Sequence, residues 1–271
     1  MRGASRDALA TGREALEALL GRPGTEPEQV GRELFAVTAV LDGSAAIRRA
    51  LSDPSAAADA KSGLVHRLLD GKVDAGTVDV VARLARERWG AATDLTDALE
   101  ELAVESVLAA ADGAGRLDAV EDELFRFSRA IAGDPRLRDA FSVRSVGDER
   151  KTALVARLLE GKVGPETVLL ATQAAVAPRG LRTERALERY VEAAAARRRQ
   201  LVAQVVVARP LSEEHRERLA AALQRLYGRA PRLNVDVDPD VVGGLRVQVG
   251  GELVDGTMLG RLDVARRKLA G

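Results

Sequence analysis

The sequence predicts a mainly α-helical protein that ends in a small α+β module, and three observations support this prediction. Apolar residues recur at helical spacing over most of the 271 residues. A segment of 18 residues recurs 90 positions later, which indicates a duplicated helical unit. The region after residue 200 instead contains β-branched and alternating stretches that are typical of strands. We therefore expect two tandem six-helix-type bundles that share one helix, followed by a β-α-β-β-α domain.

The composition agrees with this fold class and excludes several classes of function. Hydrophobic residues make up 46% of the chain and aromatic residues only 3%, so Ala and Leu do most of the packing. The 41 basic and 41 acidic residues balance, so no overall field draws the chain to nucleic acid or anionic lipid. The absence of cysteine excludes disulfides and thiolate catalysis. Because no signal-peptide or membrane-spanning apolar run is present, we expect a soluble, intracellular protein.

Six helices are predicted before residue 112. The first ends at Gly21-Arg22-Pro23-Gly24, where glycine and proline interrupt the helical pattern. The second is marked by apolar residues at i, i+4, i+7 and i+11. The predicted positions, in order, are Ala8–Leu20, Val30–Leu41, Ile47–Leu51, Ser55–Leu69, Asp74–Arg88 and Thr93 to about Ala111.

The internal repeat sets the domain organisation. Residues 61–78 and 151–168 are identical at eleven of eighteen positions, and the same offset aligns Gly90 with Gly180. Because this register holds without a gap, the helix from Thr93 is both the last helix of the first unit and the first helix of the second. The second unit thus carries its own set of helices. We expect a stiff pair of bundles, with residues 1–96 in the first and residues 97–200 in the second.

The third predicted domain spans residues 201–271. The run LVAQVVVARP is rich in β-branched residues and is predicted as a strand. Ser212 is a suitable N-cap for the helix that follows, which stops near Gly228. Period-two alternation then predicts strands around Val235–Val237 and Leu245–Val249, and a third short strand up to Asp255-Gly256 precedes a last helix.

No motif in the chain indicates catalysis, a metal or a cofactor, so we predict a non-enzymatic protein. Gly71-Lys72 and Gly161-Lys162 lack the first glycine and the Ser/Thr of a phosphate loop, and glycine-closed helix ends are the better interpretation. The paired glycines of the third domain favour a bulge and a hairpin over a dinucleotide fingerprint. Other residues could have functional roles, but structural roles fit them better. The functional alternatives are a metal or acid–base site for His66 and His215, a phosphate contact for Arg197–Arg199 and a binding anchor for Trp89.

The run VDVDPDVVGGLRVQVGGELVDGTMLGRL resembles the C-terminal signature of the ATP synthase delta subunit, the counterpart of the mitochondrial oligomycin-sensitivity-conferring protein. The resemblance extends back through AQVVVARPLSEEHRERLAAALQRLYG and the second bundle to about Asp97. At the front the chain departs from the pattern of a typical member, because it carries an extra unit of about 90 residues. In this respect the whole chain resembles the long delta subunits of actinobacteria. The signature residues are Asp238, Pro239, Gly243, Gly244, Leu245, Val247, Val249, Asp255 and Gly256.

The resemblance implies a non-catalytic stator subunit, peripheral on the cytoplasmic face of the cell membrane. Such a subunit binds the N-terminal segments of alpha subunits through its helical bundle and the b subunits through its C-terminal part. It resists the torque of the rotor, so that proton flow is coupled to ATP synthesis.

The resemblance also places an alpha-binding groove between Leu99–Ala110 and Thr167–Ala177, with Ala8–Leu20 and Thr77–Arg88 as its equivalent in the first unit. An amphipathic helix can lie in an Ala-lined groove because small side chains let backbones approach closely. The alternative is that both faces are simply core. The predicted groove residues are Leu99, Leu102, Ala103, Val107, Val168, Ala171 and Ala175.

Two other hypotheses account for the same pattern. The repeat could be a helical scaffold or adaptor of an unrelated complex, which predicts a partner outside ATP synthase. Alternatively, the β-containing domain could hold an enzyme site, which predicts a pocket with clustered ionisable groups. The sequence also leaves open which bundle binds which alpha chain, and whether the extra unit stiffens the stator, contacts b or regulates hydrolysis.

Overall fold

A computed structural model of the protein describes residues 3–142, 147–200, 202–227, 232–238, 244–249 and 252–255. Within these residues the chain is mainly helical and has one small sheet near its C-terminal end. The first six helices are α1 Ala4–Leu20, α2 Pro27–Gly43, α3 Ala45–Ser52, α4 Ala58–Leu69, α5 Ala75–Arg86 and α6 Ala92–Gly113. The next six are α7 Leu117–Gly133, α8 Pro135–Ser142, α9 Asp148–Leu159, α10 Pro165–Val176, α11 Thr183–Gln200 and α12 Glu213–Tyr227. The strands are β1 Val202–Val207, β2 Arg232–Val237, β3 Leu245–Val249 and β4 Glu252–Asp255.

Helix boundaries repeat with the same 90-residue offset as the sequence. Each of the helices α2 to α5 begins and ends 90 residues before its equivalent among α7 to α10. A tertiary hydrogen bond repeats as well, since Thr77 Oγ1 donates to Glu33 Oε2 at 2.6 Å and Thr167 Oγ1 donates to Glu123 Oε2 at 2.5 Å. The repeat found in the sequence is therefore also a repeat of structure.

The two Gly-Lys pairs end helices, as predicted. Gly71 and Gly161 follow α4 and α9 with φ of 74° and 66°, a left-handed conformation that glycine adopts without steric cost. The next amide folds back, with Lys72 N donating to Leu69 O at 2.9 Å and Lys162 N to Leu159 O at 3.0 Å. Trp89 is also structural, because it is 6% exposed and its Nε1 donates to Leu84 O.

Predicted helix starts differ from the observed ones by up to four residues, and for the fourth helix the cause is a local turn. The fourth helix begins at Ala58 and not at Ser55. The carboxylate of Asp53 accepts hydrogen bonds from Ser55 N at 2.8 Å and from Ser55 Oγ at 2.7 Å. This local turn competes with helix formation and delays the helix by three residues.

By compactness the chain divides into two units, Met1–Ala194 and Ala195–Gly271. The core of the first is continuous across both repeats, because α6 packs against α1, α2 and α3 as well as against α10. The α6 leucines in this core are all 1% exposed or less, namely Leu95, Leu99, Leu102 and Leu108. No helix in the described part of the chain is both long and apolar enough to cross a bilayer.

The second unit contains a four-stranded sheet in the order β2-β1-β3-β4. β1 runs parallel to β2 and antiparallel to β3, so Val205 pairs with Val235 on one side and with Val247 on the other. Ala203, Val205, Val207 and Val247 pack with Leu223 of α12 in a small core. The described order is β-α-β-β-β, and its last strand, β4, is the predicted short strand before Asp255-Gly256, which the predicted summary order β-α-β-β-α had left out. The predicted last helix lies outside the described residues.

Strand β3 contains the middle of the terminal signature. Val247 is buried, Leu245 is partly buried and Gly244 has a φ of 82°. Asp238 follows β2, and its amide donates to Val207 O at 2.9 Å. The backbone of Asp255 pairs with Arg246, and Val249 pairs with both Ala203 and Glu252. Pro239, Gly243 and Gly256 lie outside the described residues.

Candidate partner-binding groove

The seven predicted groove residues lie on two helices, α6 and α10. Six of them are completely buried, at 0% exposure: Leu99, Leu102, Ala103, Val107, Ala171 and Ala175. Val168 alone is partly exposed. The six buried side chains therefore lie in the core and not on the accessible surface of the α6–α10 pair.

The α6 residues are buried because helices of the first repeat pack on them. A Cβ added to Gly31 of α2 would lie 2.6 Å from Val107 Cγ2 and 3.0 Å from Ala103 O. A Cβ added to Gly12 of α1 would lie 2.5 Å from Leu84 Cδ2 of α5 and 3.1 Å from Leu102 Cδ1 of α6. Because the 2.6 Å and 2.5 Å approaches are closer than a Cβ allows, glycine lets α2 pack closely on α6 and α1 pack closely on α5. Sequence reasoning missed this close packing, for which these two glycines inside helices were the available signal.

The accessible part of the pair is a stripe along α10. Val168, Leu169, Thr172, Gln173 and Val176 are all partly exposed, and their spacing places them on one side of the helix. On α6, Ala109 and Ala110 are also partly exposed. Of the stripe residues, only Val168 is among the seven predicted groove residues. The missed signal is the absence of any charged residue between Thr167 and Ala177.

Two acidic side chains fix the start of α10. Glu166 has a 2% exposed side chain and pairs with Arg116, whose Nε donates to Glu166 Oε2 at 3.2 Å. This hydrogen bond raises the pKa of Arg116. Glu123 of α7 accepts from Thr167 Oγ1 and also, at 3.2 Å, from Gly164 N. The helix that carries the stripe is thus held by both α7 and the turn after α6.

The turn after α10 is tied to α6 by Arg179, whose φ of 47° is unusual for a residue with a side chain. Its side chain is 11% exposed and donates to Thr96 O at 2.6 Å and to Asp97 Oδ1 at 2.7 Å. Its Nε lies 3.2 Å from Asp42 Oδ2 of α2. One guanidinium therefore joins the end of α10 to helices of both repeats. The positive φ of Arg179 is a strained backbone conformation, which persists only where surrounding contacts enforce it.

Next to Arg179, the carboxylate of Glu100 is 6% exposed and accepts from Tyr190 OH at 2.7 Å. Burial raises the pKa of Tyr190 well above 10, and the neighbouring Glu100 charge adds to this effect. The phenol of the folded protein thus stays neutral at a pH at which the phenol of the unfolded chain ionises.

This raised pKa predicts an alkaline loss of stability. The contribution of the Tyr190 phenol to the free energy of unfolding is fully present below the unfolded pKa of about 10. It is lost as pH rises above this value, by up to about 1.4 kcal/mol per pH unit. Chemical denaturation between neutral and strongly alkaline pH should show a flatter profile for Tyr190→Phe than for the wild type. Equal slopes in the two proteins would contradict a raised Tyr190 pKa.

A second concave feature is a cleft of about 1070 Å³ beside the Arg179 turn. Its charged lining is balanced, with four basic and four acidic residues: Arg138, Lys151, Arg179, Arg182, Asp42, Asp139, Asp148 and Glu184. A balanced lining favours neither an anion nor a cation. Among the described residues, no three His, Asp or Glu side chains lie together as metal ligands would.

Comparison with known proteins connects these features to one family. The family described as "ATP synthase delta (OSCP) subunit" matches residues 104–269, which include the C-terminal part of α6, the whole of α10 and the sheet. "ATP synthase subunit delta" of Kineococcus radiotolerans is 51% identical over 99% of this chain and 98% of its own length. The protein of the same name from Beutenbergia cavernae is 48% identical over 100% of this chain and 100% of its own length. The one from Streptomyces avermitilis is 46% identical over 99% of this chain and 98% of its own length.

Proposed function

Because the chain belongs to the ATP synthase delta (OSCP) subunit family, we propose that it links the catalytic head of an ATP synthase to the peripheral stalk. It is a non-catalytic subunit of that complex. The observation that carries this conclusion is the 51% identity to an ATP synthase subunit delta over 99% of the chain. An identity that also includes the first repeat argues against an adaptor of an unrelated complex.

The proposed mechanism is mechanical. The subunit holds the head against the torque of the rotor, so that proton flow drives ATP synthesis. We place it peripherally, at the cytoplasmic face of the cell membrane. The shared helix supports a stiff brace, because α6 is buried by α1, α2 and α10 together. Residues 1–96 and 97–200 then act as two bundles joined through α6, and residues 201–271 act as the third domain.

The proposed contact with the head is an alpha-subunit N-terminal helix on the α6–α10 pair. The stripe that begins at Val168 provides the contact surface, and the buried residues Leu99, Leu102, Ala103, Val107, Ala171 and Ala175 support the helix pair from the core. An amphipathic helix in an apolar groove gains affinity by burying its own apolar face. The C-terminal domain, whose sheet carries the family signature, is the proposed contact for the b subunits.

Reconstitution tests the stator role. Membrane vesicles whose ATP synthase lacks this subunit should hydrolyse ATP without pumping protons, because an unbraced head turns with its rotor. Adding the purified full-length chain should restore ATP-driven proton pumping, measured as quenching of a pH-sensitive dye. Pumping at the normal rate in vesicles that lack the chain would contradict the role.

A further inference from the structure

We propose that the cleft beside the Arg179 turn binds a phosphate group, either as free phosphate or as the end of a nucleotide. The cleft is bordered mainly by α8, by the first turn of α9 and by the turn between α10 and α11. Its volume of about 1070 Å³ is enough for a ligand of nucleotide size. The inference does not depend on the proposed function, because it concerns an affinity of the isolated chain.

The wall of the cleft includes a buried ammonium group without a partner. Lys151 of α9 is 7% exposed and lines the cleft. Within the described residues, its Nζ has no hydrogen bond or ion pair. The equivalent residue in the first repeat, Lys61, is 3% exposed and donates to Glu87 O at 2.8 Å. Because burying an unpaired charge is costly, an anion beside Lys151 would be bound favourably.

A second basic group in the cleft lacks the partners of its repeat equivalent. The Nε atom of Arg138 on α8 is buried and makes no hydrogen bond to the described residues. In the first repeat, Arg48 donates to Leu41 O at 3.0 Å and lies 4.0 Å from Asp42 Oδ1. Ala132 takes the place of Asp42 in the second repeat, so this counter-charge is absent. Two basic groups whose equivalents are satisfied thus line the cleft without partners.

The acidic residues of the lining do not supply the missing partners, although the net charge of the lining is zero. Asp42 already pairs with Arg179, at 3.2 Å. Asp139 and Asp148 are exposed to water. Glu184 is 9% exposed and lies in the first turn of α11, where the helix dipole favours an acid. The formal balance of charge therefore leaves the two basic groups unpaired.

A phosphate group matches these donors better than a carboxylate does. Its oxygens point in tetrahedral directions, so it can accept from the Lys151 ammonium, the Arg138 guanidinium and backbone amides together. The start of α11, residues 180–184, also lines the cleft. The first amides of a helix have no partner within the helix and attract anions. Such a ligand would join α8, α9 and α11 beside the turn that Arg179 holds.

Thermal unfolding of the full-length chain tests the inference, with sodium phosphate or ADP as the probe and sodium chloride added to keep the ionic strength constant. Either probe at ten times its dissociation constant should raise the midpoint by about 4 °C. Tighter binding of ADP would identify a nucleotide as the ligand, and equal binding would identify free phosphate. Sodium acetate should give no shift, and an equal shift with acetate would overturn the assignment to phosphate.

Three substitutions locate the site. Lys151→Met should abolish the shift without lowering the ligand-free midpoint, because it removes an unpaired buried charge. Arg138→Gln, at a partly exposed position that tolerates substitution, should weaken binding about tenfold. The matched control is Lys61→Met, which loses the hydrogen bond to Glu87 and should lower the ligand-free midpoint while keeping the full shift.

Two results would overturn the inference. One is the absence of a shift in the wild type, or an equal shift in the wild type and Lys151→Met. The other is a ligand-free midpoint that falls as far in Lys151→Met as in Lys61→Met, because this would show that Lys151 is already satisfied within the fold.

Discussion

Replacing Arg179 by methionine is expected to destabilise the helical unit by about 3 kcal/mol, because the substitution leaves the buried carboxylate of Glu100 without its counter-charge and removes the hydrogen bonds to α6. Arg179 donates to Thr96 and Asp97, and its Nη1 lies 3.6 Å from Glu100 Oε2. Methionine retains much of the apolar volume and all of the backbone strain at this position. Urea denaturation followed by circular dichroism measures the free energy of unfolding.

A surface arginine provides the matched control for this substitution. Arg126 pairs with Asp122 on α7, with side chains that are 77% and 53% exposed. Arg126→Met should cost no more than about 0.5 kcal/mol, since exposed i,i+4 pairs contribute little. Similar losses in the two variants would show that Arg179 is no more than a surface charge.

Replacing Gly31 by alanine is expected to cost about 2 kcal/mol, although alanine favours helices over glycine by about 1 kcal/mol. The new Cβ would meet Val107 Cγ2 at 2.6 Å and two backbone atoms of α6, Ala103 O at 3.0 Å and Val107 N at 3.3 Å. Backbone atoms of a buried helix cannot rotate away as a flexible side chain can. The two helices would have to separate, and apolar contacts would be lost along their interface. The midpoint of thermal unfolding measures this change.

Gly43, at the end of the same helix, provides the control. An added Cβ there meets nothing within 4 Å. Gly43→Ala should therefore be neutral or stabilise the chain by a few tenths of a kcal/mol, because alanine restricts the unfolded chain more than glycine does. Equal midpoints for Gly31→Ala and Gly43→Ala would contradict the close packing of α2 on α6.

Local signals predicted most of the helices. The period of apolar residues, the prolines and the glycines that close α4 and α9 act within a few residues of one another, so one sequence is enough to detect them. The predicted start of α4 was three residues too early, because the Asp53–Ser55 turn competes with the helix over the same short range. In the second unit, alternation predicted β2 and β3, and the β-branched run predicted β1.

The candidate groove was less predictable. The resemblance indicated the helix pair α6 and α10, but six of the seven residues named on it are completely buried. Which side chains of a helix stay accessible depends on the neighbours that cover it, and those neighbours are distant in the sequence. Gly31 brings α2 onto α6 from more than 70 residues away, and Gly12 likewise brings α1 onto α5.

The sequence by itself determined the helical class, the 90-residue repeat and the resemblance to the delta subunit family, because these depend on residue order and short-range periodicity. Tertiary structure alone decided that α6 is buried by helices of both repeats and that a stripe of uncharged side chains on α10 stays partly exposed. The reason is physical, since close packing depends on the shapes of side chains that meet across the fold. Two segments with nearly the same pattern can therefore present different surfaces.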